Sequence, residues 1–440
     1  MKSIFLCISI SLAVMNGARA QETLTLSQCL RMAVENNLSL KSTRNEIAKG
    51  KHSISENQAK MLPQINAVVQ LNDNFTPPVS VTDGRDYGKL YNVTKTLQYN
   101  ASAGLQLQMP LYNQMVRTAV DISRTIDRLN QLSYEKARED LIVQTAKMYY
   151  MAQNTLEQIR LVNDNIQRLV ELRDITQAFY DNQMSLEVDV KRVNFNIENL
   201  TAQRDNALAM LDQQYTMLKY VIDYPEEKPI RVTDVNPDNI EEVKAEGLST
   251  DLYELQLLEQ KKILAQQQTK LAKDGYLPSV SLTGNLMYSA FTDKIEHWLH
   301  SGESNHWYGS NGLGIQVRVP VFDGFEKRSK IRKAKVDEEN ARIGYEDALK
   351  GLQANYLNAV NELSNSQRNY KKQWDNYKLA QDVYSVTADQ YKEGVASMTT
   401  VLQDEMKMSE AMNNYLNSYY NYKVANLSLL KLTGQLDKVK

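Results

Sequence analysis

Gln98-Tyr99-Asn100-Ala101-Ser102-Ala103-Gly104-Leu105-Gln106-Leu107-Gln108-Met109 is a strand written in full. Tyr99, Ala101, Ala103, Leu105, Leu107 and Met109 alternate with Gln98, Asn100, Ser102, Gln106 and Gln108, and a period of two sends the two sets to opposite faces. One face is apolar. The other carries amides and hydroxyls rather than charge. About ten alternating residues is the length of a tilted strand crossing an outer membrane, with apolar side chains toward lipid and polar ones toward a lumen. A two-layer soluble sheet with one wet face is the alternative; the amide-rich polar side and the matched length favour the membrane barrel.

Three further segments repeat the pattern. Ile65, Ala67, Val69 and Leu71 oppose Gln64, Asn66, Gln70 and Asn72; Val280, Leu282, Leu286 and Tyr288 oppose Ser279, Ser281, Thr283 and Asn285; Leu313, Ile315, Val317 and Val319 oppose Gly312, Gly314, Gln316 and Arg318. Val68 and Met287 are apolar exceptions on the polar side. The lumen-facing set is therefore Gln64, Asn66, Gln70, Gln106, Gln108, Ser281, Asn285, Gln316 and Arg318. Four strands cannot close, since the smallest membrane barrels need about eight, and an open edge leaves backbone groups unsatisfied in lipid. Copies of the chain must pool their strands. Two copies make a barrel filled by its own side chains, so an open pore favours a trimer.

Outward from the strands the chain is a duplication. Leu62-Pro63 returns as Leu277-Pro278, Met109-Pro110-Leu111-Tyr112-Asn113 as Val319-Pro320-Val321-Phe322-Asp323, and Phe179-Tyr180-Asp181-Asn182 as Gln390-Tyr391-Lys392-Glu393. Gly (17) and Pro (9) are scarce among 440 residues, so long uninterrupted elements are expected. From Gln114 to about Tyr180 neither occurs, which is about 100 Å of helix; from Phe325 to about Tyr391 there are only Gly344 and Gly351. Each long helix is followed by an antiparallel one, about 188–222 and 399–434, and shorter helices, about 26–60 and 240–274, lead into each strand pair. Asp323 and Glu326 have the spacing of a capping box, and Pro110 and Pro320 are placed to end ladder pairing where strand gives way to helix. With Asn113 and Asp323 they define the barrel-to-helix junctions.

The first twenty residues read as a secretory signal: Lys2, an apolar run from Ile4 to Val14, then Ala18-Arg19-Ala20 as the cleavage pattern. The chain divides into 1–20 signal peptide, 21–222 first repeat, 223–239 a linker carrying Pro225, Pro229 and Pro237, and 240–440 second repeat. Cys29 is the only cysteine left after Cys7 departs with the signal. Charge is balanced, 51 Lys+Arg against 53 Asp+Glu, which argues against nucleic-acid binding. Tyr outnumbers Phe 25 to 7, as if many rings keep a polar end wet.

The duplicated strand–strand–long-helix order, the Pro-x-aromatic-Asn/Asp junctions and the Tyr391-x-x-Gly394 turn together resemble the TolC-type outer membrane efflux proteins. That resemblance covers nearly the whole mature chain. It implies an α+β membrane fold: a trimeric twelve-stranded barrel, four strands per protomer, continued by a periplasmic helical coiled-coil barrel. It implies an exit duct of a tripartite system, embedded in outer-membrane lipid, with a periplasmic adaptor and an inner-membrane transporter of RND, ABC or MFS type. It also implies that the function lies at the tips where each long helix turns back, at Tyr180, Asn182 and Ser185 and at Gly394 and Ala396. A latch carried over from the family pairs Asp189 with Tyr391. The family's companion arginine falls on Ala396, and its acidic ring falls on Thr400 and Gln403, with Asp404 one residue away as a shifted ring.

Other signals have plainer readings. His297, His300 and His306, with Glu296 and Glu303, have metal-like spacing but read better as a solvated loop, and Met398, Met406, Met408 and Met412 read as seam packing rather than copper handling. No nucleophile–base pair, phosphate loop or zinc-protease motif is present, so neither enzyme nor cofactor is expected. The competing function is a periplasmic coiled-coil adaptor or a structural part of an envelope-spanning complex. Neither accounts for four alternating strands.

Overall fold

The computed structural model describes residues 22–83, 90–236, 247–294 and 307–439. The signal segment, the end of the linker and the His297, His300 and His306 loop lie outside the described residues. Two compact units draw on both repeats: one comprises Met1–Arg44, Ser133–Leu255 and Asp347–Lys440, the other Asn45–Leu132 and Gln256–Glu346. The elements run β1 (Glu22–Leu24), α1 (Leu26–Asn36), α2 (Leu38–Ala59), β2 (Gln64–Asp73), β3 (Val79–Asp83), β4 (Tyr91–Lys95), β5 (Tyr99–Tyr112), α3 (Gln114–Asp181) and α4 (Glu187–Ile222). Then follow β6 (Ile230–Val232), α5 (Tyr253–Asp274), β7 (Ser279–Thr292), β8 (Trp307–Arg318), α6 (Glu326–Lys392) and α7 (Met398–Leu432).

The second unit holds a four-stranded antiparallel sheet in the order β2-β5-β7-β8. All four strands expected from alternation are present. Its register carries the polar face across every strand: Asn66 lies opposite Gln106, Gln106 opposite Asn285, and Asn285 opposite Gly312. The row below runs Gln64, Gln108, Thr283 and Gly314, and the next pairs Ser281 with Gln316 and Ser279 with Arg318. The apolar row Ile65, Leu107, Gly284, Leu313 lies between them on the other face. Because directly opposed residues share a face, a single register sorts the whole sheet.

The two apolar exceptions on the polar side meet at one place. Val68 pairs with Gly104, and Gly104 with Met287. A Cβ at Gly104 would collide with the Leu286 carbonyl oxygen, the Met287 sulfur and Met287 Cα, so the absent side chain makes the room that Met287 occupies.

Pro110 does not end the ladder, contrary to the sequence reading. It lies inside β5 opposite Ser281, and pairing resumes at Tyr112 with Val280 after an irregularity. The reason is local: β2 stops at Gln64 opposite Gln108, so beyond that point β5 has a free side where a missing N–H costs nothing. Pro320 follows the end of β8, as its type demands. Asp323 and Glu326 do not form a reciprocal box either. Gly324 and Phe325 take left-handed φ values of 65° and 68°, the Asp323 carboxylate accepts from Lys327 N and Lys327 Nζ, and Glu326 turns to Lys330. At the first junction Asn113 Oδ1 accepts from Val116 N, an ordinary cap without the two inserted residues.

A hairpin absent from the sequence reading, β3 with β4, pairs Val81 with Val93 and Val79 with Lys95.

The helical unit begins with β1 paired in parallel to β6. Thr25 and Gln28 supply the capping box that does exist, at the start of α1. The helix expected over 26–60 breaks at Asn37, whose backbone leaves the helical region while its side chain caps Leu40 N and donates to the Val221 carbonyl. Cys29 is fully buried here with Leu24, Ile222 and Ile230, and burial pushes its thiol up to about 12. The expected long helices α3, α4, α6 and α7 are all present. No described helix is long and apolar enough to cross a membrane.

Candidate functional site

The helical hairpins close on two turns built alike. At the first, Gln183 N donates to the Tyr180 carbonyl and Met184 N to that of Phe179, with Gln183 at φ 61°. At the second, Gly394 N donates to Tyr391 and Val395 N to Gln390, with Gly394 at φ 77°. These two bonds have their counterparts in the other repeat, so the duplication reaches down to single hydrogen bonds; the second turn adds one from Ala396 N to the Gln390 carbonyl. Asn182 adds a side-chain bond to the Ala178 carbonyl. Tyr180 and Asn182 are exposed, Ser185 and Ala396 are half-buried, and Gly394 is exposed.

The expected latch is not formed here. Tyr391 is buried against the Phe179 ring at 5.8 Å between centroids, and its hydroxyl has no hydrogen-bond partner. Asp189 is held instead by Arg192 at 3.1 Å, the geometry of an acidic residue in the first turn of a helix reaching a cation three residues on. Arg192 Nη1 also reaches Thr399 Oγ1 at 3.5 Å. This bond joins the start of α4 to the start of α7.

The shifted acidic ring fails on burial. Asp404 is turned into the α6–α7 seam, where Thr387 Oγ1 donates to it at 2.9 Å and Lys407 pairs with it at 3.2 Å. Thr400 is spent on capping, with its N–H and hydroxyl on Ser397 Oγ, and Gln403 is exposed.

The buried seam above the tips is set by tyrosine rather than by leucine. Tyr370, Tyr377, Tyr384 and Tyr391 repeat every seven residues along α6 and are all buried. Across from them α7 buries Met398, Val401, Glu405, Met408, Met412, Tyr415, Tyr419 and Tyr422 at alternating spacings of three and four, the knobs of a coiled-coil seam. Met406 is exposed and outside it. Tyrosines elsewhere keep a wet end, Tyr220, Tyr276 and Tyr288 among them, but those of the seam do not: burial pushes Tyr384 up to about 12, and the Tyr415 hydroxyl has no partner.

One carboxyl sits in this seam. Glu405 is 3% exposed; Asn165 Nδ2 donates to its Oε1 at 2.8 Å and Ser409 Oγ at 2.9 Å, while Arg168 Nη2 donates to Asn165 Oδ1 at 3.3 Å. Burial raises its pKa against the opposing effects of Ser409, Asn165 and Arg168. A raised folded-state value means that the bundle binds this proton more tightly than the unfolded chain. Its stabilising contribution is full below the ordinary carboxylate range and is lost as pH rises through the raised value. Glu405→Gln should accordingly raise the melting temperature at neutral pH and leave it nearly unchanged at pH 4. The gain should stay below the roughly 1–3 kcal/mol cost of a poorly satisfied buried polar group. Equal destabilisation at both pH values in thermal melts would overturn this.

Among the described residues no group of His, Cys, Asp and Glu is placed to hold a metal.

Strand pair, junction and tip turn follow one another twice along the chain, and a known family matches it in two corresponding stretches. The profile of the outer membrane efflux protein family matches residues 29–219 and 253–435. The chain belongs to this family. It is 21% identical to outer membrane protein TolC of Escherichia coli K12, over 98% of this chain and 86% of that one. It is 23% identical to TolC of Vibrio cholerae, over 98% and 95%. The solved structure of VceC, an outer membrane protein of Vibrio cholerae, superposes with a TM-score of 0.74 at 15% identity, covering 93% of this chain and 96% of that one. The chain is thus an outer-membrane efflux protein, an exit duct with a large periplasmic portion.

Proposed function

We propose that three copies form the duct, each giving four strands to a twelve-stranded barrel, with the β2 edge of one protomer pairing with the β8 edge of the next. The observation that carries this is a sheet whose faces are sorted into an apolar and a polar side but whose order, β2-β5-β7-β8, ends on two edges; in lipid such edges must be paired. The helices then line a periplasmic tube whose tips meet a periplasmic adaptor. An inner-membrane transporter of RND, ABC or MFS type supplies the energy. Heat-modifiable trimers in outer-membrane fractions, together with ion conductance in planar bilayers, are the expected result. Monomers in the periplasmic fraction would exclude the duct. Photo-crosslinkers at Asn182 and Glu393 should capture the adaptor.

A gate at the tips rests on the family's Asp189–Tyr391 pairing and is supported by a Tyr391 hydroxyl that is buried without a partner. A closed arrangement delivering a carboxylate to it would form a charge-assisted bond worth a few kcal/mol at most. Tyr391→Phe combined with Asp189→Ala is expected to raise single-channel conductance; conductance equal to wild type would sink the latch.

A further inference from the structure

Charge is almost absent from the polar face of the four-stranded sheet. Along β2, β5, β7 and β8 that face carries amides, hydroxyls, glycines and a few apolar residues, and Arg318 is its only charged side chain. Arg318 is the last residue of β8, exposed and opposite Ser279, at the end of the sheet from which the chain passes into α6. The two repeats differ at this place. Arg318-Val319-Pro320 corresponds to Gln108-Met109-Pro110, so the duplicated position holds an amide in the first repeat and a cation in the second.

Among the described residues no ion pair or hydrogen bond engages Arg318. The acids nearest in sequence to this end of β7 and β8 are already engaged: Asp274 accepts from Thr118, Asp323 holds Lys327 and Glu326 holds Lys330. Because β8 is an edge strand, the strand that closes on it from a neighbouring copy also counts. That strand is β2, whose polar face reads Gln64, Asn66, Val68, Gln70 and Asn72. Whatever register the two edges adopt, this face of β2 brings no carboxylate beside Arg318. The one acid in β2, Asp73, has the opposite parity and accepts from Gln98 Nε2. Closing the barrel therefore leaves the charge of Arg318 uncompensated by its neighbouring strands.

We propose that Arg318 sets the charge preference of the duct: its three copies form a ring of cations at the periplasmic end of the barrel lumen, favouring passage of negatively charged solutes over positive ones. The ring rests on the trimeric membrane reading of the sheet. Fixed cations in a lumen otherwise lined by neutral dipoles concentrate anions and repel cations, and lumen positions are where membrane barrels tune such selectivity. With Gln108 at the duplicated position, the ring holds three cations rather than six. The preference is accordingly moderate, and it depends strongly on salt, because the screening length falls from about 10 Å at 0.1 M to about 3 Å at 1 M.

The test is the reversal potential of the full-length protein in planar bilayers of zwitterionic lipid under a gradient of potassium chloride. Wild type should pass chloride over potassium by about threefold near 0.1 M salt, and the ratio should fall toward unity near 1 M. Arg318→Gln should bring the ratio to unity at both concentrations, and Arg318→Glu should turn it in favour of potassium. Arg318→Lys should keep the wild-type ratio, which separates charge from shape. Gln108→Arg, which places the cation of the second repeat in the first, should raise the ratio above wild type. Heat-modifiable trimers of each variant establish that assembly is intact. A wild type with no chloride preference at 0.1 M, or an Arg318→Gln variant that keeps the wild-type ratio, would overturn the ring. If wild type neither forms trimers nor conducts, the duct and the ring fall together. If it conducts normally and the ratio ignores the charge at position 318, only the ring falls.

Discussion

Gly104→Ala is expected to remove the protein from the outer membrane as an assembled species. The new Cβ meets the Leu286 carbonyl oxygen and Met287 Cα, which are backbone atoms of the paired strand, as well as the Met287 sulfur. A flexible side chain can swing away, but a ladder partner cannot move without opening β5 from β7. Overpacking a filled site costs about 1–3 kcal/mol when side chains absorb it, and here backbone must absorb it, so the cost should exceed that range. Gly284→Ala is the control in the same sheet: its Cβ comes no closer than 3.0 Å to Leu313 Cδ2 and 3.4 Å to Leu107 Cβ, contacts that a leucine can relieve. Semi-native electrophoresis of outer-membrane fractions should show the heat-modifiable band for Gly284→Ala and lose it for Gly104→Ala. Normal assembly of Gly104→Ala would mean that Met287 does not lie over Gly104 in the membrane.

Tyr370→Ala should have the largest effect in the helical unit. Its ring is enclosed by Tyr415, Tyr419 and Tyr422 at 6.0, 5.7 and 5.6 Å, the last stacked within 10°. Deleting it empties the middle of the seam and unpacks three other rings at once. Aromatic-to-alanine changes in cores cost about 3–5 kcal/mol, and the position on the α6–α7 seam places this one at the upper end. Tyr415→Phe should behave in the opposite sense. The Tyr415 hydroxyl is buried without a partner, so removing it spares a desolvation penalty of about 1–3 kcal/mol. Thermal melts of the purified protein should drop sharply for Tyr370→Ala and hold or rise for Tyr415→Phe. A drop of similar size for both would show that the Tyr415 hydroxyl has a partner in the assembled duct.

Much of this architecture is legible without coordinates because membrane strands and long helices are governed by local period. Alternation in Tyr99–Met109 identifies both the strand and its polar side, and the register keeps that parity from Gln64 to Arg318. The tyrosine spacing at 370, 377, 384 and 391 was equally visible as a heptad, yet a surplus of tyrosine over phenylalanine reads as wetness until the facing helix is known. Pro110 escapes local rules for a related reason: whether a strand residue needs its N–H depends on whether a neighbour lies on that side. The Asp323–Glu326 spacing was right for a box and wrong in outcome, since Gly324 and Phe325 turn the chain before the helix begins.

At the tips the limits are sharper. The turn geometry is a local hydrogen-bond pattern around one left-handed residue, Gly394 in the second repeat and Gln183 in the first. Arg192 and Lys407, each three residues after Asp189 and Asp404 on the same helix, follow from local spacing, but the burial of Asp404 and its bond from Thr387 do not, because they are chosen by the packing of α6 on α7. The same holds for Glu405, whose surroundings come from Asn165 on a helix 240 residues away in sequence. The sequence alone therefore determined periods, faces, turns and the order of elements, all of them properties of neighbouring residues on one backbone. Only the tertiary structure decided which face meets which, and with it which polar groups are paired or left without a partner, because burial is a property of the surroundings and not of the residue.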